Sequence, residues 1–453
     1  MHVGFLLDVF REHAPAEAIL ARGEVVTYEG LLRSIEAWNE RLASEDVGAG
    51  TVASLEADFS ANAIGLLLAL VDRGAIVVPI TPAFEVKKPE FLAVAQVERR
   101  ITVGSDDAVT LARTGTAANH AHYEALRAAG HPGLVLFTSG SSGSPKAAVH
   151  DFAKLLVKFR TRRHRLRSLM FLGFDHIGGV DTLLHSLSNG STVITTDARS
   201  PEHVCALVAK HRIEVLPVAP SFLGMLIASE AYKKHDLSSL KYVTYGAEVM
   251  PQSTLSRCAE IFPNVTLLQK YGATEVGTLR SHSKANDSLW VKIGGEGYQT
   301  RVVNGILHIK AESSMLGYLN APSPFSADGW FVTGDAVEVE GDFFRILGRQ
   351  SDIINVGGEK VYPAEVEEVI QQLDNVTDVA VYGEKHAFMG QIVCARVVLR
   401  APEERAALEA RIRKHCRAVL PQYKVPVKFV TTLEAQHTER HKKNRRSGPE
   451  GGS

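Results

Sequence analysis

The sequence is poor in the features that announce specialised classes. It has four cysteines, Cys205, Cys258, Cys394 and Cys416, in 453 residues, and no two stand in a CxxC pair. That spacing argues against a zinc ribbon and against a disulfide framework. Neither sign of charge prevails: 50 Lys+Arg face 51 Asp+Glu, a formal net charge of −1. The balance offers no global polycation for nucleic acid or an anionic membrane. Long apolar runs are missing too. The most apolar stretch, 63–70, is far shorter than the roughly 20 residues that cross a bilayer, and Asp72 and Arg73 follow it. The first residues carry Asp8, Arg11 and Glu12 inside an apolar patch, without the charged-then-apolar order of a signal peptide. The 18 histidines show no HExxH or comparable metal spacing. Gly140-Ser-Ser-Gly143 lacks the GxSxG spacing of a nucleophile elbow. A soluble cytoplasmic enzyme is the expectation.

What is present points to a globular chain. Hydrophobic residues make up 45% and charged residues 22%, which excludes disorder over most of the length. At roughly 150 residues per domain the length allows three domains, or a large one and a small one. Residues 131–280 repeat one theme of short apolar run, turn and helix-like stretch. The runs are 133–137, 192–195, 214–218, 242–245 and 265–268. Continuous apolar strands with helical connections predict a parallel sheet covered on both faces. After Gly305 the period shortens to two, with Gly341-Asp342 between two alternating runs, which predicts antiparallel hairpins. Pro363, followed by Glu365, Glu367 and Glu368, marks a helix start. The fold class expected is α/β. A large N-terminal domain, 1–348, combines parallel-type sheets and helices with antiparallel elements. A hinge spans 349–352, a small mobile α+β domain spans 353–446, and 447–453 is a flexible tail.

The strongest chemical signal is Phe137-Thr-Ser-Gly-Ser-Ser-Gly-Ser-Pro-Lys146. An apolar strand runs into a loop dense in hydroxyls and glycines that ends in a lysine. Glycines let backbone N–H groups turn toward a phosphate chain, hydroxyls donate further bonds, and the lysine offsets charge. The spacing is not that of the GxxxxGK[ST] P-loop.

This loop resembles the phosphate loop of the adenylate-forming superfamily, which includes acyl- and aryl-CoA ligases, peptide-synthetase adenylation domains and firefly-type luciferases. Three further stretches, in the family's order, are similar to its motifs. Tyr271-Gly-Ala-Thr-Glu275 resembles the adenine and magnesium motif, and Gly329-Trp-Phe-Val-Thr-Gly-Asp335 the ribose motif. Residues 348–367, beginning Gly348-Arg349, resemble the hinge and thiol-tunnel segment. The resemblance covers roughly 27–446 and implies ATP-dependent activation of a carboxylic acid to an acyl-adenylate, then transfer to a thiol. It also carries over roles. Thr138, Ser139, Gly140, Ser141, Ser142, Gly143 and Lys146 would hold phosphates, with Thr274. Tyr271, Gly272 and Ala273 would border the adenine, and Glu275 would hold Mg2+. Asp335 would accept bonds from the ribose hydroxyls, with Arg349 beside it. Lys442, four residues after Thr438, takes the place of the family's catalytic lysine, with His441 where relatives carry glycine and Lys443 adjacent. Gly357 and Gly358 would line the tunnel for a pantetheine thiol. Ser351 stands where relatives commonly carry Asp or Lys, with Asp352 next. The segment 81–132 is compact for the superfamily.

The acid side is less determined. In Phe174-Asp-His-Ile-Gly-Gly179, His176 matches a residue near the acyl pocket and thiol entrance of CoA ligases. Asp175 matches the aspartate that anchors an α-amino group in amino-acid-activating domains. The ligase reading is preferred because Gly178 and Gly179 follow. Phe222, Tyr245, Gly246, Ala247 and Gly272 are the other candidate walls of a mostly apolar pocket. Five arginines between Arg160 and Arg167 read as a solvated helix face or as a docking site for the CoA 3′-phosphate or an acidic carrier protein. The resemblance implies coenzyme A as the acceptor, with a carrier-protein phosphopantetheine as the alternative. A nucleotide-binding protein without catalysis is the rival from another class.

Overall fold

In a computed structural model, residues 2–138 and 145–432 are described, and they form a mixed α/β structure of four main sheets. In the first sheet, β1 (Gly133–Thr138) pairs antiparallel with β2 (Lys146–Asp151). Beyond β1, the strands Ile76–Ile80, Val52–Glu56 and Arg99–Val103 run parallel. The second sheet is covered by α1 (Ile177–Ser188) and α2 (Pro220–Ser229), and it ends with β3 (Tyr242–Tyr245) and β4 (Thr266–Gln269). Six of its seven strands are parallel, and only the Glu17–Ala21/Glu24–Thr27 hairpin breaks the pattern.

The apolar runs between 133 and 268 all form strands, but they do not share one sheet. Residues 133–138 belong to the first, because β2 folds straight back on β1. The other four runs belong to the second. Both sheets are buried on both faces, so their strands carry the same apolar pattern and the sequence does not separate them. One core joins the two sheets through helices Tyr28–Ser44, Ala61–Asp72 and α1, with Leu31, Ile64, Leu67, Leu183 and Leu187 fully or nearly fully buried. These helices start where local chemistry places them. Thr27 and Ser60 each accept a hydrogen bond from the backbone N–H three residues on, satisfying a donor that the first turn leaves open.

The third sheet is antiparallel throughout, and includes β5 (Phe331–Glu340) and β6 (Phe343–Arg349) joined at Gly341-Asp342. Gln350–Asp352 forms a single 3-10 turn. A fourth sheet starts at Ile354. Helix α3 (Pro363–Gln371) packs on its strand β7 (Val376–His386), and the apolar core of this unit is drawn from residues 354–429 alone. No helix among the described residues is long and apolar enough to cross a membrane.

Candidate active site

All four sheets contribute to a cleft of about 1850 Å³. Its nucleotide-motif half begins at the ends of β1 and β2. Thr138 and Lys146 are cross-strand partners, so they stand side by side where the phosphate-type loop leaves and returns. Asn320 pins the return: its amide donates to Pro145 O at 2.9 Å and its carbonyl accepts from Ala147 N at 3.0 Å. The loop closes a hairpin, so Lys146 opens a strand and no helix N-terminus stands behind it. Positive charge there comes from Lys146. The Lys146 ammonium lies 5.4 Å from the Tyr318 ring centre, and the Tyr318 hydroxyl donates to Glu275 Oε1. Burial, with Glu275 adding to it, pushes the Tyr318 hydroxyl's pKa up. Tyr318 and Asn320 lie in no motif quoted from the sequence.

Asp335 is the most tightly held of the motif residues. It is 9% exposed on β5 and faces Arg349 across the β5–β6 pairing. Arg349 Nε donates to Asp335 Oδ1 at 2.8 Å, and the Tyr271 hydroxyl donates to Oδ2. Arg349 also donates to Thr333 O at 2.8 Å, and Thr333 Oγ1 accepts from Asp335 N at 2.9 Å. Burial pushes the Asp335 carboxyl up, while Arg349 and Tyr271 pull it back. Burial and the adjacent carboxylate drive the Tyr271 hydroxyl well above its usual range. Behind Thr274 lies His150, fully buried, with its pKa lowered by burial to about 4.

The acid-motif half is bounded by α1, α2 and the ends of β3 and β4. His176 is the N-cap of α1, and its Nδ1 accepts from Gly178 N at 3.0 Å. With Nδ1 accepting, the neutral imidazole carries its proton on Nε2. Asp175, His176 and Gly178 line the cleft. Gly179 does not. A Cβ there would meet Gly173 O at 2.0 Å, so this glycine allows α1 to start against the preceding loop. Asp58, absent from the sequence reading, lines the same end. Burial raises its pKa; Arg199 opposes that and Asp175 reinforces it. Tyr245, Gly246 and Ala247 line the wall. A Cβ on Gly246 would meet Lys270 O at 2.5 Å, and Ala247 holds φ +70, a left-handed conformation costly for a non-glycine residue.

The cleft thus gathers Thr138, Lys146, Asp175, His176, Tyr245, Gly246, Ala247, Tyr271, Gly272, Ala273, Thr274, Glu275, Asp335 and Arg349. Three expectations change. Phe222 is no wall; it is fully buried and packs edge-on to Phe171 at 4.9 Å, while Gly224 and Met225 of α2 reach the cleft. Gly357 and Gly358 do not line the cleft. Both have positive φ and turn the Ile354–Val356/Glu359–Val361 hairpin, a geometry glycine suits. The arginine-rich segment is no helix face: 161–166 is irregular. Arg162 pairs with Glu12 at 3.0 Å, Arg167 with Glu17 at 2.6 Å, and Arg160 lies 5.2 Å from the Phe5 ring centre. Ser139, Gly140, Ser141, Ser142, Gly143 and Lys442 lie outside the described residues.

This combination of sheets is that of solved adenylate-forming enzymes. An anthranilate–CoA ligase, AuaEII, solved with anthranoyl-AMP, superposes with a TM-score of 0.78 at 19% identity, covering 96% of this chain and 95% of that one. ATP-bound MatB from Rhodopseudomonas palustris gives 0.78 at 20%, covering 97% of each. At such identity the likeness establishes the fold. The family follows from sequence: the chain belongs to the AMP-binding enzymes, whose family model matches residues 8–319, with the C-terminal domain of AMP-binding enzymes matching 365–443. It is an AMP-forming ligase of the adenylate-forming superfamily, as the motifs imply. Over 94% of its length it is 26% identical to Bacillus subtilis YdaB, whose name assigns it provisionally to the acyl–CoA ligases, covering 95% of that protein. The indoleacetate–CoA ligase of Aromatoleum aromaticum is 28% identical over 68% of this chain, and the long-chain-fatty-acid–CoA ligase FadD13 of Mycobacterium tuberculosis 27% over 66%. The matches span 64% and 63% of those two proteins.

Proposed function

We propose that this enzyme activates a carboxylic acid with ATP and transfers the acyl group to coenzyme A. The observation that carries the reading is the convergence of Thr138, Lys146, Glu275, Asp335 and Arg349 on one cleft that also holds Asp175 and His176. A carboxylate oxygen attacks the α-phosphorus, the bond to the pyrophosphate oxygen breaks, and acyl-AMP forms. The CoA thiolate then attacks the acyl carbon and AMP leaves. The first step needs alignment and charge neutralisation rather than covalent help from the protein.

Asp335 suits a ribose. Tyr271 and Arg349 each occupy one of its oxygens from the side, and the remaining lone pairs accept from two hydroxyls. Lys146 and the loop 139–144 supply phosphate contacts, with Thr274. Glu275 fits Mg2+: a single carboxylate with substrate phosphates and water is how that ion is commonly held, and no cluster of three acidic or metal-ligating side chains competes among the described residues. When bound, Mg2+ offsets phosphate charge. Tyr318 holds the Glu275 carboxylate in place by its hydrogen bond. Lys442 meets the reacting carboxylate and α-phosphate when the 353–446 unit turns about 349–352, and a later turn brings Gly357-Gly358 to the thiol path.

Coenzyme A is favoured over a carrier protein because the relatives similar to this chain are named as CoA ligases. Pyrophosphate release from ATP and Mg2+ over fatty, aryl and amino acids, with and without CoA, is the test. Release with one acid class and a CoA-dependent rise is expected. ATP binding without release from any acid overturns the reading.

A further inference from the structure

One charge in the acid half has no task in this scheme. Lys270 directly follows β4, and its backbone N–H donates to Tyr245 O at 2.7 Å, which fixes the residue. It lies within electrostatic reach of Asp181 and His185 on α1. Lys270 lines the cleft. Among the described residues its ammonium makes no hydrogen bond and no ion pair.

The charges that act on it are Asp181, Lys158 and Arg163. Asp181 is already paired with Lys158, which also donates to Thr278 O at 2.9 Å. His185, one turn after Asp181, is held toward its neutral form by burial. The charges acting at Lys270 itself are therefore positive in excess, while Asp58 and Asp175 lie elsewhere along the cleft wall. Burial lowers the Lys270 pKa; Asp181 opposes that, while Lys158 and Arg163 add to it. A cation removed from water without a partner is costly, and an anion entering the cleft removes that cost.

We propose that Lys270 binds a second, distal carboxylate on the acid, so that the substrates are dicarboxylic acids. The proposal rests on the ligase reading and names its substrate class. One carboxylate reacts at the α-phosphorus while the other pairs with Lys270. Gly178 and Gly246 border the same cleft.

The test compares kcat/KM for pyrophosphate release with aliphatic and aromatic dicarboxylic acids and with their monomethyl esters. The wild type is expected to prefer the free diacid by about 10- to 100-fold, the range of a charge-assisted bond. Lys270→Met should erase that preference, leave ATP affinity unchanged, and raise the melting temperature of the ligand-free protein. Lys270→Arg should restore most of the preference. Equal use of diacid and ester by the wild type, or an unchanged ratio in Lys270→Met, overturns the proposal and leaves the ligase reading standing. Silence with every acid while ATP still binds overturns both.

Discussion

The two halves of the cleft are built on different principles. In the nucleotide half the polar side chains hold one another. Asp335 is braced by Tyr271 and Arg349, Glu275 by Tyr318, and Pro145 by Asn320. In the acid half Lys270 faces the cleft without a bond of its own, and His176 spends Nδ1 on capping a helix. A half that meets the same ligand in every cycle gains from preorganisation. A half that defines the substrate class leaves its charge for the substrate to satisfy.

Four substitutions break or sharpen this contrast, from the largest effect to the smallest. Asp335→Ala should weaken ATP binding by about 10³-fold, the loss of two charge-assisted bonds. Arg349 is half exposed and the fold should survive, so calorimetric titration reads the binding loss alone. Equal weakening of acid binding would erase the distinction between the halves. Lys442→Ala should slow pyrophosphate release by about 10² to 10³-fold with ATP affinity nearly intact, as for loss of one group that stabilises the transition state. Unchanged release would remove Lys442 from the chemistry.

His150 makes the support of the nucleotide half sensitive to pH. Its folded pKa, about 4, lies below the ordinary 6.5. The unfolded state therefore binds the extra proton between those values. Stability from this group is complete above about 6.5 and falls as the pH drops toward 4, by about 3 kcal/mol in all. His150→Leu should flatten that part of the stability profile, as denaturant titrations at pH 7 and pH 4.5 would reveal. Least of all, His176→Ala should cost about 1 kcal/mol through the lost cap, while His176→Asn restores it. A fall in CoA-dependent turnover that Asn does not rescue would give the Nε2 donor a role beyond capping.

The sequence made the nucleotide half legible because its chemistry sits in contiguous stretches. Glycine and hydroxyl density around 138–146 and the aspartate at 335 are readable without tertiary contacts. Tyr318 and Asn320 escaped, since only the pairing of Gly317-Tyr318 with β2 brings them beside the loop. The strands were legible from their apolar runs, and their division between two sheets was not. Phe222 shows the limit of residue type: a phenylalanine suits a core as well as a wall. Lys270 did leave a signal, a lysine two residues past the apolar run 265–268 and just before Tyr271.

The Asp335–Arg349 pairing joins two matters usually considered apart. Arg349 is the last residue of β6 and the first of the connector into the fourth sheet. With a nucleotide on Asp335, as proposed, the ligand and the set of the chain beyond residue 349 act on one ion pair. Whatever factor nucleotide contributes to one placement of the C-terminal sheet, that placement returns to nucleotide affinity, because such coupling is reciprocal. Changes in the 350–352 connector should then register as changes in ATP affinity, although none of them alters a ribose contact.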